Sequence, residues 1–578
     1  MKHGSAGLAL LWFVVACGPQ PPRGPQRLLM LPRFGGPPAR TSTLTSRGKT
    51  RPALVESARY RVRLPRRPLL TFGLGLSSAS AAKGRYRFRL AAGGRTLADE
   101  PLTPANTQGF RDVSLRLDGL GSETTLAFEL QSVDGAGRAV DRPRGVVAGV
   151  ADPTLHDLDD YGRARGIVLI SIDTLRQDHV GAYGYPKPTT PRIDALARDG
   201  ILYEDAVSTS SWTLPAHLSL MTSVDPALHG GIDLRHGFNR SVPTLAAVLK
   251  GAGFATEAVT NHLYVSATYG FGEGFEQLDY RFDRTATVTA RTANAALDRI
   301  GDRPFFLFVH FFDPHWRYSP PAEVQRLFEA QPRAAGAASI RDFRGRDRSN
   351  TPPAELAAIL ARYDGEIRHT DNAIGRILDH MKARGLDRST LVVVSSDHGE
   401  EFLDHGSWEH QKTLYEELIR IPLVFQGPGL APRREAAQVS LLDVMPTILA
   451  WAGVPAPERM MGRSLLPTLR EHEAYGETDH AQDGTRKLFL RDGRKRWKAI
   501  FSLSHDAAAA PREEWYDLGS DPHETHSARP PGALAEDMRR RALERWKLRQ
   551  SQLAGPPPTV RLTPEEQERL RALGYVGP

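Results

Sequence analysis

A threonine two residues ahead of a proline is the leading candidate for a nucleophile in this sequence. Thr213 precedes Pro215, and proline is favoured in the first turn of a helix. The free backbone N–H groups at a helix start carry partial positive charge and attract anions. A hydroxyl held there beside a metal ion would be a nucleophile facing a phosphate or sulfate ester. The alternative is that the Thr213 hydroxyl caps the helix, a common role for threonine.

Acidic and imidazole side chains follow two apolar runs and supply candidate metal ligands. One run leads directly to Asp173, and another leads to Asp397 and His398. Because ligands of open α/β sheets bind at the carboxyl ends of strands, we expect these three side chains to converge. We predict that they hold one divalent ion together with Thr213, and Ca²⁺, Mn²⁺ and Zn²⁺ all remain open. A single Asp at a strand end would otherwise be a helix cap.

Histidines are unusually frequent near the predicted loops of the same region. Imidazole groups at one sheet edge indicate anion contacts, acids for a leaving group, or a second metal site. Asp313, beside His315, leaves room for such a second ion. The histidines concerned are His217, His262, His310, His315, His405 and His410.

The elements that must position these side chains form a predicted α/β domain over 160–470. Apolar runs at 166–172, 304–310 and 391–396 predict buried strands, and helical spacing of apolar residues predicts a long helix over 353–384. Strands that alternate with helices are typical of a sheet covered by helices on its faces. We therefore expect a mixed sheet flanked by helices.

Two smaller modules flank the predicted α/β domain. Residues 53–155 alternate apolar and polar residues between glycine-rich turns, which predicts a β-sandwich-like module. Residues 471–578 are more polar and predict a small α+β subdomain with a hairpin around Asp492 and a terminal helix near 564–573. A packing or spacer role is expected for the first module, because nothing in it marks a ligand site.

The net charge of +8 is confined to the beginning of the chain. Lys2 and seven basic residues between 18 and 52 account for all of it, and no acidic residue lies in that segment. The segment is rich in Pro, Gly and Arg and predicts a tether, either solvated or lying against anionic lipid headgroups. Since the remainder is neutral overall, the sequence predicts no nucleic-acid partner.

The single cysteine, Cys17, follows a short apolar run and one lysine. This pattern resembles a bacterial lipobox, in which the cysteine is acylated and becomes the new N-terminus. We therefore predict a lipoprotein signal peptide over 1–17, lipidation of Cys17, and an exported protein anchored to the outer membrane or facing the periplasm. The alternative is an ordinary signal peptide that contains a cysteine by chance.

The α/β region resembles the sulfatase branch of the alkaline phosphatase superfamily, and it is identified as a member on specific motifs. Thr213-Leu214-Pro215-Ala216-His217 stands at the Cys/Ser-x-Pro-x-Arg signature. The resemblance implies an alkaline-phosphatase/sulfatase-like fold and the two metal strands. It further implies catalytic roles for His262, His315 and His410, and substrate contacts for His217, His310 and Lys412. The matching segments are 168–176, 213–217, 261–263, 310–315, 396–400, 405–417, 516–518 and 573–575.

Several positions depart from the family pattern. Sulfatases convert the signature Cys or Ser to formylglycine, and Thr213 cannot become an aldehyde by that route because its β-carbon bears a methyl group. His217 replaces the signature Arg, and Thr174 replaces the usual second Asp of the first metal strand. An unmodified threonine also resembles the nucleophile of nucleotide pyrophosphatases and phosphoethanolamine transferases.

Together, the sequence predicts a metal-dependent hydrolase of sulfate or phosphate esters that uses unmodified Thr213. The expected partner is an anionic ester, either a sulfated or phosphorylated glycan, a lipid or a small molecule. One alternative is a membrane-anchored enzyme that transfers the group to lipid or glycan. The other is a non-catalytic surface protein that binds through the β-module.

Overall fold

The computed structural model divides the chain into two compact units, Met1–Asp160 and Tyr161–Pro578. The predicted signal peptide 1–17 and its Cys17 lie outside the residues that the structure describes. The described residues are 26–28, 41–46, 49–76, 85–103, 111–134, 136–140, 148–159, 165–240, 242–282, 284–329, 351–467, 471–480, 485–494, 496–504, 510–551 and 557–572.

The first unit contains two antiparallel sheets, with the orders β2-β3-β10-β5-β8 (β1 also pairs with β10) and β4-β9-β6-β7. The sequence of β4 shows why this segment forms a strand of a half-buried sheet. Tyr60 and Val62 are buried while Arg59 and Arg61 face outward, as period-two alternation requires. One apolar cluster takes side chains from both sheets. The strands are β1 Gln26–Arg27, β2 Thr41–Ser46, β3 Lys49–Leu54, β4 Ala58–Arg63, β5 Pro68–Leu76, β6 Tyr86–Ala92, β7 Arg95–Leu102, β8 Arg111–Arg116, β9 Glu123–Ser132 and β10 Ala148–Asp157.

The structure corrects the boundary between the predicted tether 18–52 and the β-module. Strands β2 and β3 pair with each other from Thr41 opposite Leu54 to Ser46 opposite Lys49, and β3 also pairs with β10. Threonine occupies every second position of β2, and this local β-forming pattern outweighs the Pro/Gly/Arg-rich composition on which the tether was predicted. The sheet therefore begins before residue 53.

The second unit contains the mixed sheet that was predicted, and its order is β14-β13-β15-β11-β16-β19-β12-β20. Its strands are β11 Gly166–Ile172, β12 Ile201–Val207, β13 Ala255–Thr260, β14 Gln277–Tyr280, β15 Phe305–Phe311, β16 Thr390–Ser396, β19 Arg420–Gln426 and β20 Arg433–Ser440, while β17 Glu401–Phe402 and β18 Trp408–Glu409 pair separately. Its helices are α1 Pro191–Arg198, α2 Thr213–Thr222, α3 Pro226–His229, α4 Leu245–Gly251, α5 Ala286–Ile300, α6 Ala322–Gln325, α7 Pro353–Ala383, α8 Glu416–Ile419 and α9 Val444–Ala452.

The central strands are buried along their whole length because helices cover both faces of the sheet. In β11, Ile167 and Leu169 join one apolar cluster, and Val168 and Ile170 join another on the opposite face. Helices α2, α4 and α9 supply the first cluster, and α1, α5 and α7 supply the second. Continuous apolar runs are the expected sequence of strands in this position.

The register of the central strands gathers the predicted ligands at one edge. Strand β11 is parallel to both β15 and β16, and Ile172 is level with Phe311 and with Ser396. Asp173 and Asp397 are the residues that follow these strand ends. Their convergence, predicted from the sequence, is thus a consequence of parallel pairing.

The C-terminal part of the second unit is a four-stranded antiparallel sheet packed against a helix, in agreement with the predicted α+β subdomain. Its small core combines sheet residues such as Phe501 with Ala535, Met538 and Ala542 of α10. Leu570 of α11 instead joins a core cluster of the mixed sheet. The elements are β21 Ala474–His480, β22 Thr485–Arg491, β23 Trp497–Ser504, β24 Arg512–Asp517, α10 Gly532–Ser551 and α11 Pro564–Ala572.

Within the described ranges, no helix combines the length and the apolar character needed to cross a membrane.

Candidate active site

The proposed nucleophile lies on the first residue of α2, at the edge of the sheet. The N-cap of α2 is Trp212, which makes no side-chain capping bond, so Thr213 does not fill the capping position. The hydroxyl Oγ1 of Thr213 instead donates to Oδ2 of Asp173 at 3.5 Å. Both residues are fully buried. The geometry therefore favours the chemical role of Thr213 over the capping role.

Asp173, Asp397 and His398 lie together as predicted, with one potential ligand atom of each within 4.8 Å of the others. Nε2 of His398 lies 3.7 Å from Oδ1 of Asp173 and 3.4 Å from Oδ2 of Asp397. These three atoms are buried and make no hydrogen bond. Buried polar atoms without partners are costly unless a ligand satisfies them, so the three residues fit a divalent cation.

Two backbone contacts orient these potential ligands. Nδ1 of His398 donates to the carbonyl oxygen of Gly399 at 2.8 Å, so Nε2 carries the free lone pair. Oδ1 of Asp397 accepts from the backbone N–H of His398 at 2.9 Å and of Thr174 at 3.3 Å. The second oxygen of Asp397 is thereby turned toward the Nε2 of His398.

The electrostatics of the site also fit a bound cation. Burial, followed by the charge of Asp397, raises the pKa of Asp173 well above its ordinary value. Although burial raises the pKa of Asp397, the neighbouring imidazoles of His398, His217 and His310 hold it below its ordinary value. Two buried carboxylates this close destabilise each other's charged form, and a divalent ion would remove that penalty.

Both ring nitrogens of His217 bond to other groups of the protein. This finding corrects the predicted contact between His217 and the substrate. Its Nδ1 donates to the carbonyl oxygen of Thr213 at 2.9 Å, and its Nε2 accepts from the hydroxyl of Ser171 at 3.0 Å. Burial lowers the pKa of His217 to about 4, so the ring is neutral at pH 7. With both nitrogens in use, His217 positions the start of α2 and does not bind an anion.

His310 lies beside the nucleophile, at the end of β15. Its Nε2 is 3.3 Å from Oδ2 of Asp173, the same oxygen that accepts from Thr213. Burial lowers the pKa of His310 to about 4. His310 is thus within reach of the group that would react at Thr213, and its substrate contact stays a prediction.

The other three predicted imidazoles form a stacked group against the metal ligands. The ring of Phe312 stacks between His262 and His315, at centroid distances of 4.9 and 4.4 Å. The ring of His410 lies 5.0 Å from that of His315 and 4.5 Å from that of His398. The fold therefore brings His262, His315 and His410 to one side of the metal ligands, as the catalytic hypothesis requires.

Comparison with known families now decides the identity of this domain. Residues 165–454 match the family model described as sulfatase, and residues 404–536 match the one described as N-sulphoglucosamine sulphohydrolase, C-terminal. The chain belongs to the sulfatase family. It is an ester hydrolase of that family, and the predicted resemblance is confirmed.

Curated relatives of the family align with most of their own length. The arylsulfatase of Clostridium perfringens is 24% identical over 436 residues, which are 62% of this chain and 89% of the relative. Human N-sulphoglucosamine sulphohydrolase is 27% identical over 444 residues, covering 64% of this chain and 87% of the relative.

Solved sulfatase-like structures share the fold of the chain. A protein in complex with D-glucosamine-2-N,6-O-disulfate superposes with a TM-score of 0.54 at 19% identity, covering 67% of this chain and 98% of that chain. The phosphonate monoester hydrolase of Agrobacterium radiobacter superposes with a TM-score of 0.54 at 20% identity, covering 69% of this chain and 100% of that chain.

Thr174, which replaces the usual second Asp of the sulfatase metal strand, has a strained backbone. Its φ is 57°, a left-handed conformation that β-branched residues rarely adopt. The strained turn aims the Thr174 N–H at Asp397 and its carbonyl at the hydroxyl of Tyr363, which donates at 2.7 Å. Strain of this kind persists where the surrounding structure fixes a functional geometry.

Glu400 is a site residue without a predicted role. Its Oε1 shares a hydrogen bond of 2.8 Å with Nδ1 of His410, and its Oε2 accepts from the hydroxyl of Tyr318 at 2.9 Å. Burial, with the charge of Glu409, raises the pKa of Glu400 well above its ordinary value. The one sequence signal for a role of Glu400 is its position two residues after His398, in the segment that resembles a sulfatase metal strand.

Lys412 lies near the stacked imidazoles rather than at the metal ligands. Its Nζ donates to the carbonyl oxygen of Trp408 at 3.3 Å. Burial, with the charges of His398, His315 and Lys412, lowers the pKa of His410 well below its ordinary value. The substrate contact of Lys412 stays a prediction.

The structure corrects the expectation for His405 and leaves the second ion site as a prediction. His405 lies outside the imidazole group, where its Nδ1 bonds to Glu417 at 2.9 Å and its ring stacks on Tyr415 at 3.7 Å. The second ion at Asp313 and His315 stays a prediction: within the described ranges, the other group of three residues with metal-ligand spacing is His405, Glu417 and Glu524. Oδ1 of Asp313 accepts a backbone N–H at the start of α5.

Proposed function

We propose that this sulfatase-family protein is a metal-dependent hydrolase of sulfate or phosphate esters whose nucleophile is the unmodified hydroxyl of Thr213. The observation that carries the proposal is the position of that hydroxyl, 3.5 Å from Asp173 at the start of α2. The other oxygen of the same carboxylate, Oδ1 of Asp173, belongs to the group of three buried ligand atoms that make no hydrogen bonds.

Asp173, Asp397 and His398 would hold the ion. A divalent cation there supplies Lewis-acid neutralisation of charge on the group that is transferred. The N-terminal N–H groups of α2 add partial positive charge at the same place. Because His217 is neutral and already bonded to Thr213 and Ser171, it fixes the helix start and leaves anion binding to these other groups.

Thr213 attacks sulfur or phosphorus in line, and the bond to the leaving oxygen breaks as the bond to Thr213 Oγ1 forms. The proton of Thr213 moves toward Oδ2 of Asp173, its hydrogen-bond acceptor. His410 gives the proton on Nε2 to the leaving oxygen as its Nδ1 takes the proton of the Glu400 carboxyl group, whose pKa is raised. Nε2 then takes a proton from the water that cleaves the covalent ester, Nδ1 returns its proton to Glu400, and Thr213 regains its proton from Asp173.

A specific observation favours phosphate or phosphonate esters as a second candidate. Formylglycine releases sulfate when its carbonyl reforms, and the single oxygen and the methyl group of Thr213 do not allow that route. Water must therefore attack the transferred group itself. Similarity to a phosphonate monoester hydrolase supports this alternative, and similarity to arylsulfatase and N-sulphoglucosamine sulphohydrolase supports sulfate.

The test is a panel of aryl sulfate, phosphate, phosphodiester and phosphonate esters, each measured with Ca²⁺, Mn²⁺ and Zn²⁺. Thr213→Ala should remove turnover of every ester, and Thr213→Ser should retain it because serine keeps the hydroxyl. Transfer to added lipid or glycan acceptors, followed by mass spectrometry, separates hydrolysis from the transferase alternative. Full activity of Thr213→Ala would overturn the proposal.

Export and lipidation at Cys17 belong to the same proposal and are supported by the lipobox-like pattern alone. The anchored enzyme would act on anionic glycans, lipids or small molecules at the outer membrane or in the periplasm. Mass spectrometry of the mature N-terminal peptide should find a diacylated Cys17, and Cys17→Ser should lose both the lipid and membrane association. A mature chain that retains Met1 would contradict it.

A further inference from the structure

The turn that follows β11 supports two of the candidate metal ligands. This turn comprises residues 173–176 and begins with Asp173, one residue after the end of the strand. The backbone N–H of Thr174 donates to Oδ1 of Asp397 at 3.3 Å, so the position of a second ligand also depends on the turn. The φ of Thr174 is 57°, which a β-branched residue keeps only when its surroundings enforce it. Groups outside the turn must therefore hold it in this form.

The hydroxyl of Tyr363, on α7, closes the turn from one side. It donates to the carbonyl oxygen of Thr174 at 2.7 Å and accepts from the backbone N–H of Arg176 at 2.9 Å. Tyr363 is fully buried, and burial raises its pKa well above the ordinary value, so the hydroxyl keeps the proton that it donates. The proposed mechanism gives this hydroxyl no role.

Aromatic packing fixes the ring of Tyr363 in this position. Its ring centre lies 4.9 Å from that of Phe402, 5.0 Å from that of His179 and 5.6 Å from that of Tyr318. A side chain that packing already holds in place can orient a neighbouring group precisely. The bridge from Tyr363 is therefore rigid enough to keep the backbone of Thr174 in its strained conformation.

The hydroxyl of Ser396, the last residue of β16, holds the turn from the other side. Its Oγ accepts from the backbone N–H of Leu175 at 3.1 Å. The same Oγ lies 2.8 Å from the carbonyl oxygen of Ile172 and 2.6 Å from that of His398, and one of these oxygens takes its proton. Ser396 thus ties the end of β11 to the segment that carries the other two candidate ligands.

We propose that the hydroxyls of Tyr363 and Ser396 are positioning groups of the metal site. They hold the turn in the form that presents Asp173 and bonds to Asp397, so that the ion meets ligands already in place. Both hydroxyls are used by backbone groups, so they act through the ligands and not as ligands. The inference rests on the proposed function for the presence of the ion. Loss of groups that orient metal ligands typically weakens metal binding about 10- to 100-fold.

The test is titration calorimetry of the metal-free protein with Ca²⁺, Mn²⁺ and Zn²⁺, continued with the ion that the wild type binds most tightly. Tyr363→Phe should weaken binding of that ion about 10- to 100-fold. Tyr183→Phe is the matched control, because the hydroxyl of Tyr183 also bridges two backbone groups. It donates to the carbonyl oxygen of Tyr203 at 2.9 Å and accepts from the N–H of Leu423 at 2.8 Å. The control should bind the ion as the wild type does, and equal affinity in Tyr363→Phe and the wild type would overturn the inference.

Thermal unfolding separates a positioning role from a general loss of stability. Tyr363→Phe and Tyr183→Phe each remove one bridging hydroxyl, so both should lower the Tm of the metal-free protein. The rise in Tm on adding the ion should be smaller in Tyr363→Phe alone, because the stability gained from a ligand depends on its affinity. An equal rise in the two variants would contradict the positioning role.

Ser396→Ala tests the same turn from its other side and does not depend on the folding of Tyr363→Phe. It should also weaken binding of the ion. In the double variant the loss of affinity should be smaller than the product of the two separate losses, because both hydroxyls hold one turn. Losses that multiply would contradict a shared role.

The inference and the proposed function can fail separately. If the wild type binds none of the three ions, the proposed metal dependence is wrong and the inference falls with it. If the wild type binds an ion that Tyr363→Phe and Ser396→Ala bind equally well, only the inference is wrong. Full activity of Thr213→Ala would overturn the nucleophile and leave the positioning role intact.

Discussion

The hydroxyl of Thr213 lies 3.5 Å from a carboxylate oxygen of Asp173, and neither residue is exposed to solvent. Forty residues of chain separate the two, and they meet because β11 and α2 end and begin at the same edge of the sheet. In the proposed mechanism the hydroxyl acts directly, without conversion to an aldehyde. Thr213 stands at the position where formylglycine sulfatases carry Cys or Ser.

Loss of the Thr213 hydroxyl should abolish turnover without disturbing the fold. We expect Thr213→Ala and the nearly isosteric Thr213→Val to lower kcat at least about 10³-fold, since removal of a nucleophile leaves only binding and charge stabilisation. Steady-state kinetics and metal analysis would be measured on the same samples. If Thr213→Val binds metal near the wild-type level, its loss of turnover results from the missing hydroxyl and not from a missing ion.

Removal of one ligand should release the ion. Asp397→Asn keeps the size of the side chain but removes its charge, and we expect stoichiometric metal in the wild type and about 10- to 100-fold weaker binding in the variant. Elemental analysis after dialysis against a chelator measures this directly. Asp404→Asn, a carboxylate that pairs with Arg176 outside the ligand group, is the matched control and should keep its metal.

Glu400 is a positioning residue for His410. Glu400→Gln keeps a hydrogen-bonding group beside Nδ1 but removes the carboxyl proton that supports proton donation by His410, and we expect kcat to fall about 10- to 100-fold with little change in KM. An ester with a better leaving group needs less protonation, so its kcat should fall less. An equal loss for good and poor leaving groups would mean that Glu400 has only a structural role.

The pair of His405 and Glu417 should make stability depend on pH. Although burial lowers it, the hydrogen bond and charge of Glu417 raise the pKa of His405 from 6.5 to about 9. The folded state therefore holds this proton more tightly than the unfolded chain. The added stability is fully present below pH 6.5 and is lost as the pH rises through about 9.

Thermal unfolding at several pH values measures this effect. At pH 6 the free energy of unfolding of the wild type should exceed that of His405→Gln by about 1 kcal/mol, after allowance for screening by solvent. This difference should disappear near pH 10. Glu417→Gln removes the same pair from the other side and should follow the same profile. If the difference in free energy of unfolding stayed constant from pH 6 to pH 10, the raised pKa of His405 would be contradicted.

Sequence patterns predicted the framework of the site because its strands are buried on both faces. The runs that end at Asp173 and Asp397 are apolar throughout, and parallel pairing then determines which residues meet. The motif at Thr213 predicted the helix start within one residue. Patterns of this kind are local in the chain, and they were therefore visible without the structure.

The roles that the sequence missed depend on contacts between distant segments. His217 was assigned to the substrate, but Ser171, 46 residues earlier, takes its second nitrogen. That the free ligand atoms of the metal candidates are Oδ1 of Asp173, Oδ2 of Asp397 and Nε2 of His398 is likewise visible only in the assembled site. No spacing rule reports which polar atom of a buried side chain lacks a partner.

The most direct test is mass spectrometry of the enzyme quenched during turnover of an aryl sulfate or aryl phosphate. We predict that the peptide containing Thr213 carries one transferred sulfate or phosphate group, located on the Thr213 side chain by fragmentation. Exact mass separates sulfate from phosphate, and Thr213→Val should show no label. A label on any other residue, or turnover with unlabelled Thr213 in single-turnover conditions, would contradict the mechanism.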